Sequence, residues 1–106
     1  MLMKELREEM DKLYMELLPV LEKRIEISKK IGEYKYEHNL PIYDEKRENQ
    51  ILDKIKKILK NKENGDEIMK NLMDFFEDSK MIQRNVIYKL EKENERLINT
   101  ADKEID

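Results

Sequence analysis

The chain has 106 residues, which is the size of one domain. Its 22 basic and 25 acidic residues give a net charge of −3, which excludes the basic surface that nucleic-acid binding requires. It contains no cysteine, which excludes disulfides and thiolate chemistry, and 44% of its residues are charged, which favours thin amphipathic helices. With an acidic start unlike a signal peptide and no run of ~20 apolar residues, we expect a cytoplasmic protein that contacts no membrane.

The first predicted element is a very long helix between about residues 4 and 37. The segment 38–43 ends it, because Pro41 disfavours helix at the preceding residue. Such a helix reaches about 50 Å, too long for a compact domain of this size, so we expect its apolar stripe to pack on a second subunit. The stripe recurs at helical steps of three and four residues, at Leu6, Met10, Leu13, Leu17, Val20, Ile27, Ile31 and Tyr34.

Two further helices are predicted after this break. A short second helix takes Asp44 as its N-cap and ends at about Asn61, and Asp66 is expected to cap a long third helix. We therefore expect an all-α fold of three helices, very long, short and long. A domain at 1–90 is followed by a charged helical extension or frayed tail at 91–106.

Polar residues interrupt the apolar stripes of all three helices. One such residue is most often a boundary residue whose long side chain reaches water. Several at comparable depth instead favour an enclosed site, because buried charges need partners and Glu48 cannot balance three cations alone. The surplus predicts a small anionic ligand between the helices. The interruptions are Arg24 and Lys35, then Arg47 and Glu48, then Ser79 and Gln83.

Other catalytic patterns are missing. His38 has no partner for a triad or a metal site, and neither a glycine-rich phosphate loop nor zinc-ligand spacing occurs. We therefore expect no catalytic triad and no metal site.

Several segments, taken together in order and spacing, resemble the small all-helical (type II) chorismate mutases. The resemblance covers about residues 2–90. It implies an intertwined homodimer that rearranges chorismate to prephenate in phenylalanine and tyrosine biosynthesis. The rearrangement is intramolecular and pericyclic, without cofactor or covalent intermediate. The segments are 6–11, 22–24, 32–35, 41–48 and 77–83.

The resemblance also implies which residues bind the two carboxylates of chorismate. Arg24 of one subunit and Arg7 from the partner's first helix would hold them, and Ser79 would help. Arg7 falls beside the apolar stripe, so periodicity alone does not single it out. Bidentate arginine clamps suit a flexible dianion that must be held in a folded conformer.

The remaining roles implied by the resemblance concern the reacting atoms. Lys35 and Gln83 would donate to the ether oxygen, which gains negative charge as its carbon–oxygen bond breaks. Glu48 and the backbone at Asp44 would position the ring hydroxyl, and Arg47 would line the site. The implied catalytic residues are Lys35, Gln83, Arg24 and Glu48.

The chain departs from the usual family pattern in its first helix. Tyr14, followed by Met15, stands where the family commonly has an acidic residue, and Pro19 lies inside the helix. Proline in a helix typically costs ~3 kcal/mol and introduces a kink. A bend there would shift Arg7 relative to Arg24.

Two other functions remain open at this point. The same scaffold supports an isochorismate pyruvate lyase, although Gln83 and the 44–48 stretch favour the mutase. A helical dimerisation module without catalysis would need only the first helix, and it leaves the polar interruptions unexplained. Nothing attached to the chain indicates a fused enzyme, so we expect a monofunctional protein.

Overall fold

The computed structural model describes the backbone of residues 2–105 and the side chains of residues 2–101. Three helices follow one another, α1 (Met3–Glu37), α2 (Glu45–Leu59) and α3 (Gly65–Ile105), and the described residues include no strand. The predicted all-α fold, with a long first, a short second and a long third helix, is confirmed.

Helix α1 matches its predicted bounds closely. Pro19 lies inside this 35-residue helix and does not end it. After Glu37, the amide of His38 still donates to the Tyr34 carbonyl oxygen at 3.1 Å. Asn39 then adopts a left-handed conformation with φ 54°, which turns the chain out of the helix.

The N-terminus of α2 is capped as predicted, whereas its C-terminus lies earlier than expected. The Asp44 carboxylate accepts from the Arg47 amide at 3.0 Å. The helix ends at Leu59, two residues before the predicted end, because Lys60 leaves the helical conformation (φ −53°, ψ 130°) and Asn61 follows it with a left-handed φ of 64°.

The start of α3 corrects one prediction. Asp66 lies in the first turn of the helix, which begins at Gly65, so its predicted role as the cap is wrong. The Asn64 carbonyl oxygen instead accepts from the Ile68 amide at 3.1 Å, which closes the first helical turn two residues earlier than predicted. The helix then continues for 41 residues to Ile105.

The helices pack side by side with a simple register. Hydrogen bonds between α1 and α3 join residues 48 to 55 positions apart, so the two helices run parallel. Helix α2 returns antiparallel to α3, since Glu48 near its start meets Lys80 while its end lies close to Gly65. This register leaves the first ten or so residues of α1 beyond the start of α3.

The single chain is thin, and its described side chains form no buried apolar core. Its principal extents are 75 × 34 × 14 Å, and its radius of gyration is 20.1 Å, against about 13 Å for a compact domain of 100 residues. None of the described apolar side chains is buried, and those of the α1 stripe are between 40% and 61% exposed. Within residues 2–105, no helix combines the length and the apolar character that crossing a membrane would take.

Candidate active site

A cavity of about 690 Å³ lies between the three helices. Its walls combine apolar side chains of α1, α2 and α3, such as Ile31, Ile51 and Leu72, with a set of polar groups. The structure brings seven of the eight predicted site residues to this cavity. They are Arg24, Lys35, Asp44, Arg47, Glu48, Ser79 and Gln83.

One end of the cavity is built around Arg24. Its guanidinium group donates to the Ser79 hydroxyl at 3.1 Å and to the Phe75 carbonyl oxygen, and it lies 4.6 Å from the centre of the Phe75 ring. The Ser28 hydroxyl also lies 3.1 Å from the Ser79 hydroxyl. These contacts fix the plane of the guanidinium group, which favours bidentate binding of a carboxylate.

A second polar group gathers around Lys35. Its ammonium donates to Gln83 Oε1 at 2.8 Å and to the Ile42 carbonyl oxygen at 2.6 Å. Because an ammonium only donates, Gln83 must turn its oxygen to Lys35, which leaves its NH₂ group as a donor. Burial lowers the pKa of Lys35, and the nearby Asp44 and Glu48 carboxylates oppose this shift.

The close approach of α1 and α3 at Gly32 holds these donors together. A Cβ atom added to Gly32 would lie 3.1 Å from Gln83 Cα and 3.3 Å from Val86 Cβ, so the two helices meet with little room to spare. Gln83 is consequently buried, with 5% of its surface exposed. The glycine therefore determines how closely Gln83 can approach Lys35, one turn further along α1.

The third polar group connects α2 to α3. Lys80 forms ion pairs with Glu48 at 3.2 Å and with Glu77 at 2.7 Å, and its ammonium lies 4.8 Å from the centre of the Tyr43 ring. The hydrogen bond to Glu77, followed by that to Glu48, raises the pKa of Lys80. Lys80 therefore stays charged and holds the Glu48 carboxylate at the cavity wall.

Three polar residues at the cavity were absent from the sequence prediction, namely Lys23, Ser28 and Lys80. Ser28 could have been found, because it follows Arg24 by one turn and interrupts the same face of α1. The sequence gives no comparable signal for Lys23 and Lys80, because nothing distinguishes them from the other members of a set of 22 basic residues.

The charges at the cavity do not balance within the chain. Five cations line it against two carboxylates, those of Asp44 and Glu48, and the neighbouring Glu77 pairs with Lys80, which leaves a surplus of two positive charges. Such a surplus in a partly enclosed site attracts an anionic ligand. No group of three or more potential metal ligands occurs among the described residues.

Arg7 is the predicted site residue that the structure does not bring to the cavity. It is exposed near the start of α1, seventeen residues before Arg24. At 1.5 Å per residue, this separation is about 25 Å along the helix axis, far beyond the reach of a side chain. Arg7 therefore cannot serve the cavity of its own chain.

Comparison with known proteins gives one family and two relatives. The family profile described as chorismate mutase type II matches residues 6–84. Over 58 residues, the chain is 43% identical to the bifunctional chorismate mutase/prephenate dehydratase of Aquifex aeolicus (strain VF5), covering 55% of this chain and 16% of that protein.

A second relative gives a match of similar extent. Over 50 residues, the chain is 42% identical to the T-protein of Haemophilus influenzae, covering 47% of this chain and 13% of that protein. The matched regions thus span about a sixth of each curated relative or less. No solved structure gives a significant match.

Proposed function

Because the chain belongs to the chorismate mutase type II family, we propose that it rearranges chorismate to prephenate, a step of phenylalanine and tyrosine biosynthesis. The two curated relatives are much longer than their matched regions, so the activity is inferred from the family and from the site. The observation that carries the proposal is the cavity with two surplus positive charges. A dicarboxylate of chorismate's size would neutralise this surplus.

The Arg24 end of the cavity would bind one substrate carboxylate. The guanidinium group is already oriented by Phe75 and Ser79, so little conformational freedom remains to be lost on binding. Holding both carboxylates fixes the flexible ether side chain over the ring, and this converts the rearrangement into a reaction between positioned atoms.

Lys35 and Gln83 would act on the reacting bond. The ether carbon–oxygen bond breaks while a carbon–carbon bond forms in the same molecule, and negative charge develops on the ether oxygen. The Lys35 ammonium and the Gln83 NH₂ group would both donate to that oxygen. Their hydrogen bond to each other supports this role, because it orients Gln83 before the substrate arrives.

The α2 side of the cavity would hold the ring. Glu48, tethered by Lys80, would accept from the ring hydroxyl, with the Asp44 backbone beside it. Arg47 is exposed at the rim and would line the entrance. No metal, cofactor or covalent intermediate takes part in this mechanism.

The proposal includes an intertwined homodimer in which Arg7 of the partner subunit completes each cavity. Two observations support it: the α1 stripe is unburied in one chain, and Arg7 cannot reach its own cavity. We further propose that residues 1–90 form the catalytic domain, that residues 91–106 are a charged extension and that the protein is cytoplasmic.

An assay with purified protein tests this proposal. Chorismate absorbance should decline in the presence of the protein, and prephenate should be the product. A parallel reaction with isochorismate distinguishes the lyase, which would release pyruvate. If the protein releases pyruvate from isochorismate and forms no prephenate from chorismate, it is a lyase and not a mutase. If neither compound is converted, the remaining interpretation is a dimerisation module without catalysis.

A further inference from the structure

Ser28 is a buried polar residue beside the cavity for which the proposed mechanism has no role. It lies on α1 one turn after Arg24, and only 4% of its surface is exposed. Its hydroxyl is 3.1 Å from the Ser79 hydroxyl, its one side-chain hydrogen-bond partner among the described residues. Alanine is the better helix former at such a position, so packing and helix propensity alone do not explain a serine here.

The hydrogen-bonding capacity of Ser79 determines what this contact does. A hydroxyl has one proton to donate and two positions at which it accepts. Arg24 only donates, so it occupies one acceptor position of the Ser79 oxygen, at 3.1 Å. The Ser28–Ser79 contact can then run in either direction, and the direction decides where the Ser79 proton points.

A carboxylate in the cavity selects one of the two directions. An ionised acceptor forms a stronger hydrogen bond than a neutral hydroxyl, so Ser79 donates its proton to the ligand. Ser28 must then donate to Ser79, which fills the second acceptor position. Ser79 therefore accepts from both Arg24 and Ser28 and donates in one direction only, and such chains of hydrogen bonds strengthen each member.

We propose that Ser28 is a positioning residue that directs the Ser79 hydroxyl proton toward a substrate carboxylate. This inference rests on the proposed function and deepens it, since it assigns a second residue to the carboxylate end of the cavity. Ser28 does not touch the substrate. It acts through Ser79, so the two residues should behave as a unit.

Steady-state kinetics of Ser28→Ala test the proposal. The Ser79 contact binds the carboxylate in both the ground state and the transition state, so the variant should raise KM about two- to tenfold, the range that one neutral hydrogen bond contributes. Its kcat should stay within about twofold of the wild-type value. Thr100→Ala, which removes a hydroxyl bonded to the Arg96 carbonyl oxygen far from the cavity, is the matched control.

A double-mutant cycle with Ser79→Ala separates positioning from packing. If Ser28 acts through Ser79, Ser28→Ala should have no further effect on KM in the Ser79→Ala background. Equal effects of Ser28→Ala in the two backgrounds would overturn the proposal, as would an unchanged KM in the single variant. An inactive wild-type protein would overturn the mutase assignment and this inference together, whereas an active wild type isolates the role of Ser28.

Discussion

The two halves of α1 differ in what their side chains contact. In the C-terminal half, Arg24, Ser28, Gly32 and Lys35 follow one another at about one-turn intervals, and each of them contacts α3. In the N-terminal half, apolar residues such as Leu13, which is 57% exposed, follow the same period and remain exposed in the single chain.

This difference is what the proposed dimer requires of a helix that serves two chains. Where α1 lies against its own α3, small and polar residues permit a close approach and donate hydrogen bonds. Where α1 extends past the start of α3, the apolar stripe has no surface to cover it within the chain. The N-terminal half is therefore the part that a second subunit would bury, and Arg7 lies within it.

The largest expected effect comes from a substitution in the apolar stripe of the N-terminal half of α1. Leu13→Glu puts a charge on the exposed stripe, so it should abolish dimer formation and, with it, activity. Sedimentation velocity across a dilution series measures the first and chorismate turnover the second. Met15→Glu is the matched control, because Met15 is 63% exposed on the opposite face of the same helix. A fully active Leu13→Glu dimer would contradict the account.

A substitution at the cavity, in the C-terminal half of α1, should affect the rate of the reaction rather than the formation of the dimer. Lys35→Ala removes a donor that strengthens as charge develops on the ether oxygen, so kcat should fall about 10²–10³-fold while KM changes much less. Lys29→Ala, which removes an exposed lysine paired with Glu26 outside the cavity, should leave both constants unchanged. An unchanged kcat with a raised KM would rule out this role for Lys35.

Gly32 tests how closely α1 must approach α3. The added Cβ of Gly32→Ala would meet Gln83 Cα at 3.1 Å, so the helices must separate slightly and lengthen the Lys35–Gln83 hydrogen bond. We expect kcat to fall several-fold, with a stability loss of about 1–3 kcal/mol in thermal unfolding.

Gly65→Ala is the matched control for this substitution. Its Cβ would lie 3.5 Å from the Leu59 carbonyl oxygen, an ordinary contact, so both kcat and stability should be unchanged or slightly improved. Equal behaviour of the two variants would contradict a role for close helix packing at the cavity.

The smallest expected effect is on pH dependence. Burial lowers the pKa of Lys35, so its proton should dissociate at a lower pH than that of an ordinary lysine. Consequently kcat/KM should fall on the alkaline side at a pH below 10.5, and the residual activity of Lys35→Ala should lack this decline. Lys80, whose pKa is raised, does not titrate in that range. A decline that persists in Lys35→Ala would point to a different group.

Sequence periodicity predicted the helices well, because their apolar and polar faces repeat at helical steps. It was less accurate at the end of α2, because the turn that Lys60 and Asn61 form there is a local backbone conformation that periodicity does not encode. It was also wrong about Asp66, because Asn, Gly and Asp follow one another there and each is a plausible start for a helix.

The polar interruptions led from the sequence to most of the cavity, whereas the contacts among them required the structure. Periodicity located Arg24 and Ser79 on their helices but not the register that joins them. That register depends on how closely α1 and α3 approach at Gly32, a tertiary property that a single helix does not encode. Lys80 was missed for a similar reason, since its partner Glu48 lies on another helix.

Mixing two inactive variants tests most directly whether α1 serves two chains. Arg7→Ala and Arg24→Ala should each nearly abolish activity, because each leaves one substrate carboxylate without its clamp. In a mixed dimer, one cavity carries both lesions and the other carries none. Unfolding and refolding the two proteins together makes half of the dimers mixed, so activity should return to about a quarter of the wild-type value. If mixing restores no activity, Arg7 does not complete a partner's cavity and the central claim is contradicted.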